Sequence, residues 1–299
     1  MKHTKYLLII ITALAVLSQV VTINASSYEE HKTLDIDQLP FKQEIKIPID
    51  TSLTTSKNQP IDIRIVFSNP CWAEDENTHS VRVCYDDGKD LNEIESQIYD
   101  LEKNDEPHIS SCSIVFLIPG EADGKEKYYV LYDSSETKPA DYEDHLVTYD
   151  THYFYEPIPG QRIDFDYYGI KQGDEVIYGI VQKGELLGNP IAQNIVKLKP
   201  GSKEVETYNF DQLAGFDIRY GKNEAPGYYG TSCATQVEKK VLVDGNLMAR
   251  FWVKCNSPDN TLHTENIYTY YYSPGITKKI WVNIHHEILE TINIEDPSV

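Results

Sequence analysis

Four β-rich segments close the chain, at residues 239–243, 248–254, 266–272 and 279–289, and Asp244-Gly245-Asn246 and Ser273-Pro274-Gly275 lie between them as tight turns. In the last segment Ile280, Val282, Ile284, His286 and Ile288 recur at every second position, with Trp281, Asn283, His285, Glu287 and Leu289 between them. A period of two places alternate side chains on opposite faces of a strand, whereas a helix would scatter them around its axis. Long strands joined by short turns fold back on one another, so this third of the chain is read as an antiparallel meander.

The same signals recur upstream. Ile61-Asp62-Ile63-Arg64-Ile65 alternates strictly, and Ser80-Val81-Arg82-Val83-Cys84-Tyr85 ends in the turn Asp86-Asp87-Gly88. Ile114 to Ile118 is a continuous apolar run of buried-strand length, and Lys127 to Tyr132 follows Asp123-Gly124. Short strands are expected at 164–168, 176–182, 195–198 and 216–220, divided by Gly and Pro. The 22 Tyr, 3 Trp and 8 Phe, set against 2 Met, suit pleated surfaces better than helical cores. The expected fold is an all-β antiparallel β-sandwich in two units. Residues 26–58 form an extended lead-in with one strand-like segment at 44–49, residues 59–135 a first β-sandwich module, 136–150 a charged linker, and 151–299 a second. One stretch runs against this pattern: Leu91, Ile94, Ile98 and Leu101 are spaced by three, four and three, which predicts a short amphipathic helix.

Lys2 and Lys5 precede an apolar run from Tyr6 to Leu17, and Ile23-Asn24-Ala25 ends on a small residue. This is the pattern of a secretory signal over residues 1–25, cleaved after Ala25. The apolar stretch can also be run on to Ile23, which leaves an uncleaved anchor as the alternative and as the one route to a membrane. Either places the remainder outside the cytoplasm, secreted or at the extracellular surface. In an oxidising compartment Cys71 with Cys84, and Cys233 with Cys255, are the disulfide candidates, which leaves Cys112 as a buried thiol. No Cys/His spacing suits a structural zinc, so no metal ligands are assigned. The net charge of -20 gives no electrostatic reason to approach nucleic acid.

Two sets of segments resemble known families. Val66-Phe67-Ser68-Asn69-Pro70, His79-Ser80-Val81-Arg82-Val83, Glu95-Ser96-Gln97-Ile98, Ile114 to Pro119 and Lys127-Tyr128-Tyr129-Val130 together resemble a β module that precedes catalytic regions in some secreted polysaccharide-degrading enzymes. The stretch from Val241 through Asp244-Gly245-Asn246 to Val253, with Tyr268 to Gly275, resembles the opening strands of the galactose-mutarotase-like supersandwich, shared by aldose epimerases and several polysaccharide lyases and hydrolases. The resemblance implies a sandwich fold and a carbohydrate context, and it implies a strand rather than a helix from Glu95 to Leu101. Family members carry their catalytic residues largely on later strands or on a separate helical domain, so no catalytic set is implied at numbered positions here.

The candidate sites follow from residue chemistry. His285 and Glu287 lie two apart on one strand face and suit an acid/base pair, with Tyr270 and Arg250 as further groups for an acidic polysaccharide, the guanidinium clamping a uronate carboxylate. Tyr153-Phe154-Tyr155, in a Pro-rich region read as a loop, and Trp72 are expected to face a ligand, because an aromatic ring offers a sugar a flat apolar face. Asp86-Asp87-Gly88-Lys89-Asp90 has the oxygen density of a Ca2+ loop without the EF-hand spacing; a solvated turn with no cofactor is the expectation. The expected function is binding of extracellular polysaccharide. The alternatives are a polysaccharide lyase or glycoside hydrolase and a cell-envelope structural protein.

Overall fold

The computed structural model describes residues 36–173, 175–186, 189–191, 195–197, 219–221, 228–230, 235–257, 260–275, 278–291 and 293–294. The signal region and Cys233 lie outside them. Strands β1 (Phe41–Ile45), β2 (Pro60–Trp72), β3 (Arg82–Asp86), β4 (Leu91–Ile94), β5 (Ser96–Asp105), β6 (His108–Leu117) and β7 (Lys127–Tyr132) form the first unit. They make two antiparallel sheets, ordered β1-β7-β3-β4 and β2-β6-β5. One core lies between the sheets, with Val83, Val130 and Tyr132 from the first against Ile65, Ile98, Ile114 and Phe116 from the second. The lead-in contributes β1, which pairs with β7 and starts three residues before the expected segment.

The expected helix is not formed: Leu91 to Ile94 pairs with β3 in one sheet and Ser96 onward with β6 in the other. The chain changes sheets at Glu95, and Ile94 and Ile98, on either side of the change, are both buried in the core between the sheets at a spacing of four that imitates a helix. Ile114 to Phe116 reads as a continuous apolar run because β6 is covered on both faces. Ile114 and Phe116 enter the sandwich core, while Val115 points the other way, against Val243, Leu247 and Met248.

Strand β8 (Leu146–Ile158) opens the second unit and takes in the last residues of the expected linker; β9 (Gln161–Gln172), β10 (Glu175–Leu186), β11 (Asn189–Ile191) and β12 (Ile195–Lys197) follow. They form a sheet ordered β11-β10-β9-β8, with β12 also on β10. Short strands β13 (Arg219–Gly221) and β14 (Tyr228–Gly230) pair with each other, and β13 also pairs with β19 (Asn293–Ile294). Between them in sequence, β15 (Thr235–Asp244), β16 (Met248–Asn256), β17 (Leu262–Tyr271) and β18 (Ile280–Ile288) run in sequence order as the expected meander. The meander packs Phe251, Val253, Tyr268 and Tyr270 against Tyr168, Ile170, Ile177 and Ile180 of β9 and β10. Burial along β18 alternates as read as far as Glu287, with Ile280, Val282, Ile284 and His286 less exposed than Trp281, Asn283, His285 and Glu287, while Ile288, expected on the inward face, is exposed.

The two units are joined by a polar seam. Gln97 Oε1 accepts hydrogen bonds from the backbone N–H groups of Leu247 and Met248 at 2.9 and 2.8 Å, and its Nε2 donates to the Met248 carbonyl. The approach is close enough that a Cβ on Gly245 would sit 2.3 Å from Gln97 Cδ, which is why the Asp-Gly turn requires glycine there. Beside it, Asp62 accepts from the hydroxyls of Tyr99 (2.7 Å) and Tyr271 (2.6 Å), and Arg250 Nη2 reaches Asp62 at 3.3 Å.

The expected Cys71–Cys84 disulfide is absent. Cys71 is a buried thiol that donates to the Trp72 carbonyl and meets Ser80 Oγ, and burial pushes its pKa up to about 12. Cys112 is a buried thiol as expected. Cys71 and Cys84 are both buried, in strands of different sheets, where spacing along the chain does not report distance across the core.

Candidate functional site

The four residues proposed for acid/base chemistry do not converge. Tyr270 is fully buried on the inner face of the meander, where its hydroxyl donates to Gln172 Oε1 at 2.8 Å. Arg250 belongs to the seam, held by Asp62, Tyr99 and Thr269. His285 and Glu287 are exposed on the opposite face from Tyr270, across from Glu265 and His263 in the β17–β18 register.

The aromatic patch is also placed differently from the expectation. Tyr153-Phe154-Tyr155 lies within β8, paired with Phe165, Asp164 and Ile163 of β9, and not in a loop. Phe154 is 54% exposed, while the side chains of Tyr153 and Tyr155 lie outside the description. Trp72 is 4% exposed, so its ring fills core and is not offered to a ligand. In the Asp86–Asp90 turn, Asp86 Oδ1 accepts from Gly88 N–H and Asp87 Oδ1 from Lys89 and Asp90 N–H. These bonds hold the Asp87 carboxyl below its usual range. The carboxylates thus cap their own loop. Among the described residues no group of three or more His, Cys, Asp or Glu converges as a metal site would need.

Two surfaces stand out instead. The first is the outer face of the meander around Trp281, whose indole is 58% exposed. The register sets Arg250, Thr269 and Trp281 in one row across β16, β17 and β18, and Trp252, Ile267 and Asn283 in the next. Trp252 Nε1 donates to Glu265 in the row beyond, fixing its ring. Trp281 lines two depressions at once. One, of about 370 Å3, is open and includes Thr269 and Asn283. The other, of about 230 Å3, includes Tyr272, Asn58, Gln59, Lys57 and Lys279. An exposed indole flanked by amides, a hydroxyl and ammonium groups provides an apolar platform with polar donors at its rim.

The second surface is a cleft of about 320 Å3 beside the seam, which gathers His79, Ser96, Tyr142 and Asn246 from segments far apart in sequence. Asp75 Oδ1 accepts from the N–H groups of Asn77 and Thr78 and so orders the loop that carries His79. Burial, reinforced by the Arg82 cation, pushes the His79 pKa down to about 4, so its ring is neutral near pH 7. Tyr142 donates to Glu93 Oε1 at 2.6 Å, and burial followed by the Glu93 charge raises its pKa well above the usual value.

Sequence reading put Trp281 on the correct strand face without singling it out. The signal was there: a large aromatic alternating with Asn283 and His285 occupies the polar half of the period. The cleft had no comparable signal, because it forms only when four separate segments meet.

No known protein family's profile matches this chain, and no curated protein sequence matches it.

Proposed function

We propose that this chain is a secreted or surface-anchored β-sandwich protein that binds extracellular polysaccharide. The observation that carries the proposal is the 58% exposed Trp281 indole between two depressions on the outer face of the meander. Leaving a large apolar ring in water forgoes the stability that burying it would give, whereas the C–H face of a sugar ring covers it while Asn58, Gln59 and Asn283 address the hydroxyls. The lysines at 57 and 279 favour a saccharide carrying some negative charge at this surface, despite the acidic chain as a whole. The N-terminal pattern of two lysines, an apolar run and a small residue supports export. The Asp-Gly turn and the four-strand meander support kinship with the opening strands of galactose-mutarotase-like proteins.

The test is retention of the purified protein on insoluble neutral and acidic polysaccharides, with Trp281→Ala beside the parent. Retention lost in the variant supports the reading, and equal retention or none in both removes it. A second reading, lyase or hydrolase activity, is kept because His285 and Glu287 share the face of Trp281. Unsaturated or reducing-end products that vanish in His285→Ala would favour it.

A further inference from the structure

The two depressions that share Trp281 differ in chemistry. Lys57, just ahead of β2, and Lys279, just ahead of β18, bring two ammonium groups to the smaller one, and no carboxylate is among the described residues that line it. Among the described residues neither lysine forms an ion pair, and Lys57 Nζ donates to the Thr51 carbonyl alone, at 3.4 Å, although an ammonium has three protons to offer. In a chain with 47 Asp and Glu against 27 Lys and Arg, the two cations give this depression a positive potential that the molecule as a whole lacks. The other depression, lined by Ile267, Thr269 and Asn283, has no charged side chain among its described residues. The smaller volume, about 230 Å3, falls below the roughly 300 Å3 at which small-ligand pockets begin, so it suits one unit of a longer chain better than a free small molecule. The identity of the cations narrows the anion. A planar carboxylate is matched bidentately by the fork of an arginine, and no arginine is among the described lining residues. Two lysines on separate segments are point charges that reach different oxygens, which suits a tetrahedral ester group with three terminal oxygens.

We infer that the depression at Lys57 and Lys279 holds a sulfate or phosphate ester carried by one sugar unit, while the neighbouring depression takes an adjacent uncharged unit across the Trp281 ring. The inference rests on the saccharide reading of the Trp281 surface and adds the class of polymer to it: one in which ester-bearing units adjoin neutral ones, rather than a polyuronate. Lys57 and Lys279 then set specificity, and Trp281 supplies affinity for charged and uncharged polymers alike.

The experiment is affinity gel electrophoresis of the full-length protein in gels carrying dextran, carboxymethyl dextran, dextran sulfate or phosphorylated dextran at matched substitution. Salt is held at about 0.15 M, where long-range attraction between exposed charges is screened. The expected result is retardation by the sulfated or the phosphorylated polymer at least tenfold stronger than by the other two, and the stronger of that pair identifies the ester. Lys57→Gln and Lys279→Gln are each expected to weaken it about fivefold, the scale of one exposed ion pair, with urea unfolding unchanged. Lys89→Gln, exposed in the Asp86–Asp90 turn, is expected to leave it unchanged. Trp281→Ala is expected to weaken retardation by every polymer that shows it. Retardation that depends on Trp281 but is as strong with carboxymethyl dextran or dextran, is indifferent to both lysine variants, or falls equally in Lys89→Gln would overturn the ester assignment and leave the saccharide reading standing. Absence of retardation by all four polymers, or retardation that Trp281→Ala leaves unchanged, would overturn the ester assignment together with the Trp281 reading.

Discussion

Strand β6 and strand β18 are both strand-rich in composition, yet they meet their surroundings in opposite ways. β6 is covered twice, by the sandwich core at Ile114 and Phe116 and by the second unit at Val115, and all three residues are fully buried. β18 sends Ile280 and Val282 toward the second core but holds Trp281, Asn283, His285 and Glu287 outward. Where both faces are filled, side-chain identity is set by packing. Where one face is open, packing places no demand on it, and residues such as Trp281 are free to serve recognition. The contrast separates positions that hold the fold from positions that use it, and it can be tested by substitution.

The largest effect is expected in the first class. Phe116→Ala removes a fully buried ring that stacks on Tyr128 and should cost about 3–5 kcal/mol in urea unfolding, without selectively affecting ligand binding in whatever fraction remains folded. A cost below about 1 kcal/mol would mean that β6 is not the twice-covered centre described here.

His79 sharpens the comparison through pH. Its folded pKa of about 4 lies below the ordinary value of 6.5, so between those limits the unfolded chain binds the extra proton. Its contribution is fully present above about pH 6.5 and is lost as pH falls toward 4, up to about 3 kcal/mol in all. The groups that set the shift besides burial are Arg82, which lowers it, and Asp75 and a hydrogen bond to the Val81 backbone, which raise it. Urea midpoints at pH 7 and 4.5 should diverge less in His79→Gln than in the parent; identical divergence would show that His79 is not the group responsible.

At the seam, Asp62→Ala leaves the Arg250 guanidinium and the Tyr99 and Tyr271 hydroxyls without their shared acceptor. Side chains about a fifth exposed are partly screened, so a cost of about 2 kcal/mol is expected, short of the 3–5 kcal/mol of a fully buried pair. Two unfolding transitions in place of one would show that this seam, rather than the cores, couples the two units.

Much of this was legible in the residues. Alternation in β18 and the Asp244-Gly245 turn gave the meander and its faces, because a strand exposed on one side must keep its period. The segment from Leu91 to Leu101 imitates a helix because periodicity assumes one continuous element, whereas the chain changes sheets at Glu95. Cys71 and Cys84 were paired by proximity along the chain, but Cys71 lies in β2 and Cys84 in β3, in opposite sheets. The cleft beside the seam was invisible for the same reason in a stronger form. His79, Ser96, Tyr142 and Asp244 become neighbours only through the docking that Gln97 and Gly245 make possible.

The smallest expected effect on stability falls at Trp281. Its ring is more than half exposed and it stands on the outward half of the β18 period, so truncation removes little area that folding hides from water. Trp281→Ala should therefore change the unfolding free energy in urea by no more than about 0.5 kcal/mol, as surface substitutions generally do. Retention on polysaccharide should nevertheless fall at least tenfold, because the platform that both depressions share is gone. The pairing of the two readouts is what makes the substitution informative. A loss above 1 kcal/mol would place Trp281 with Phe116 among residues that hold the fold. Unchanged stability with unchanged retention would leave the open face of β18 as solvated surface.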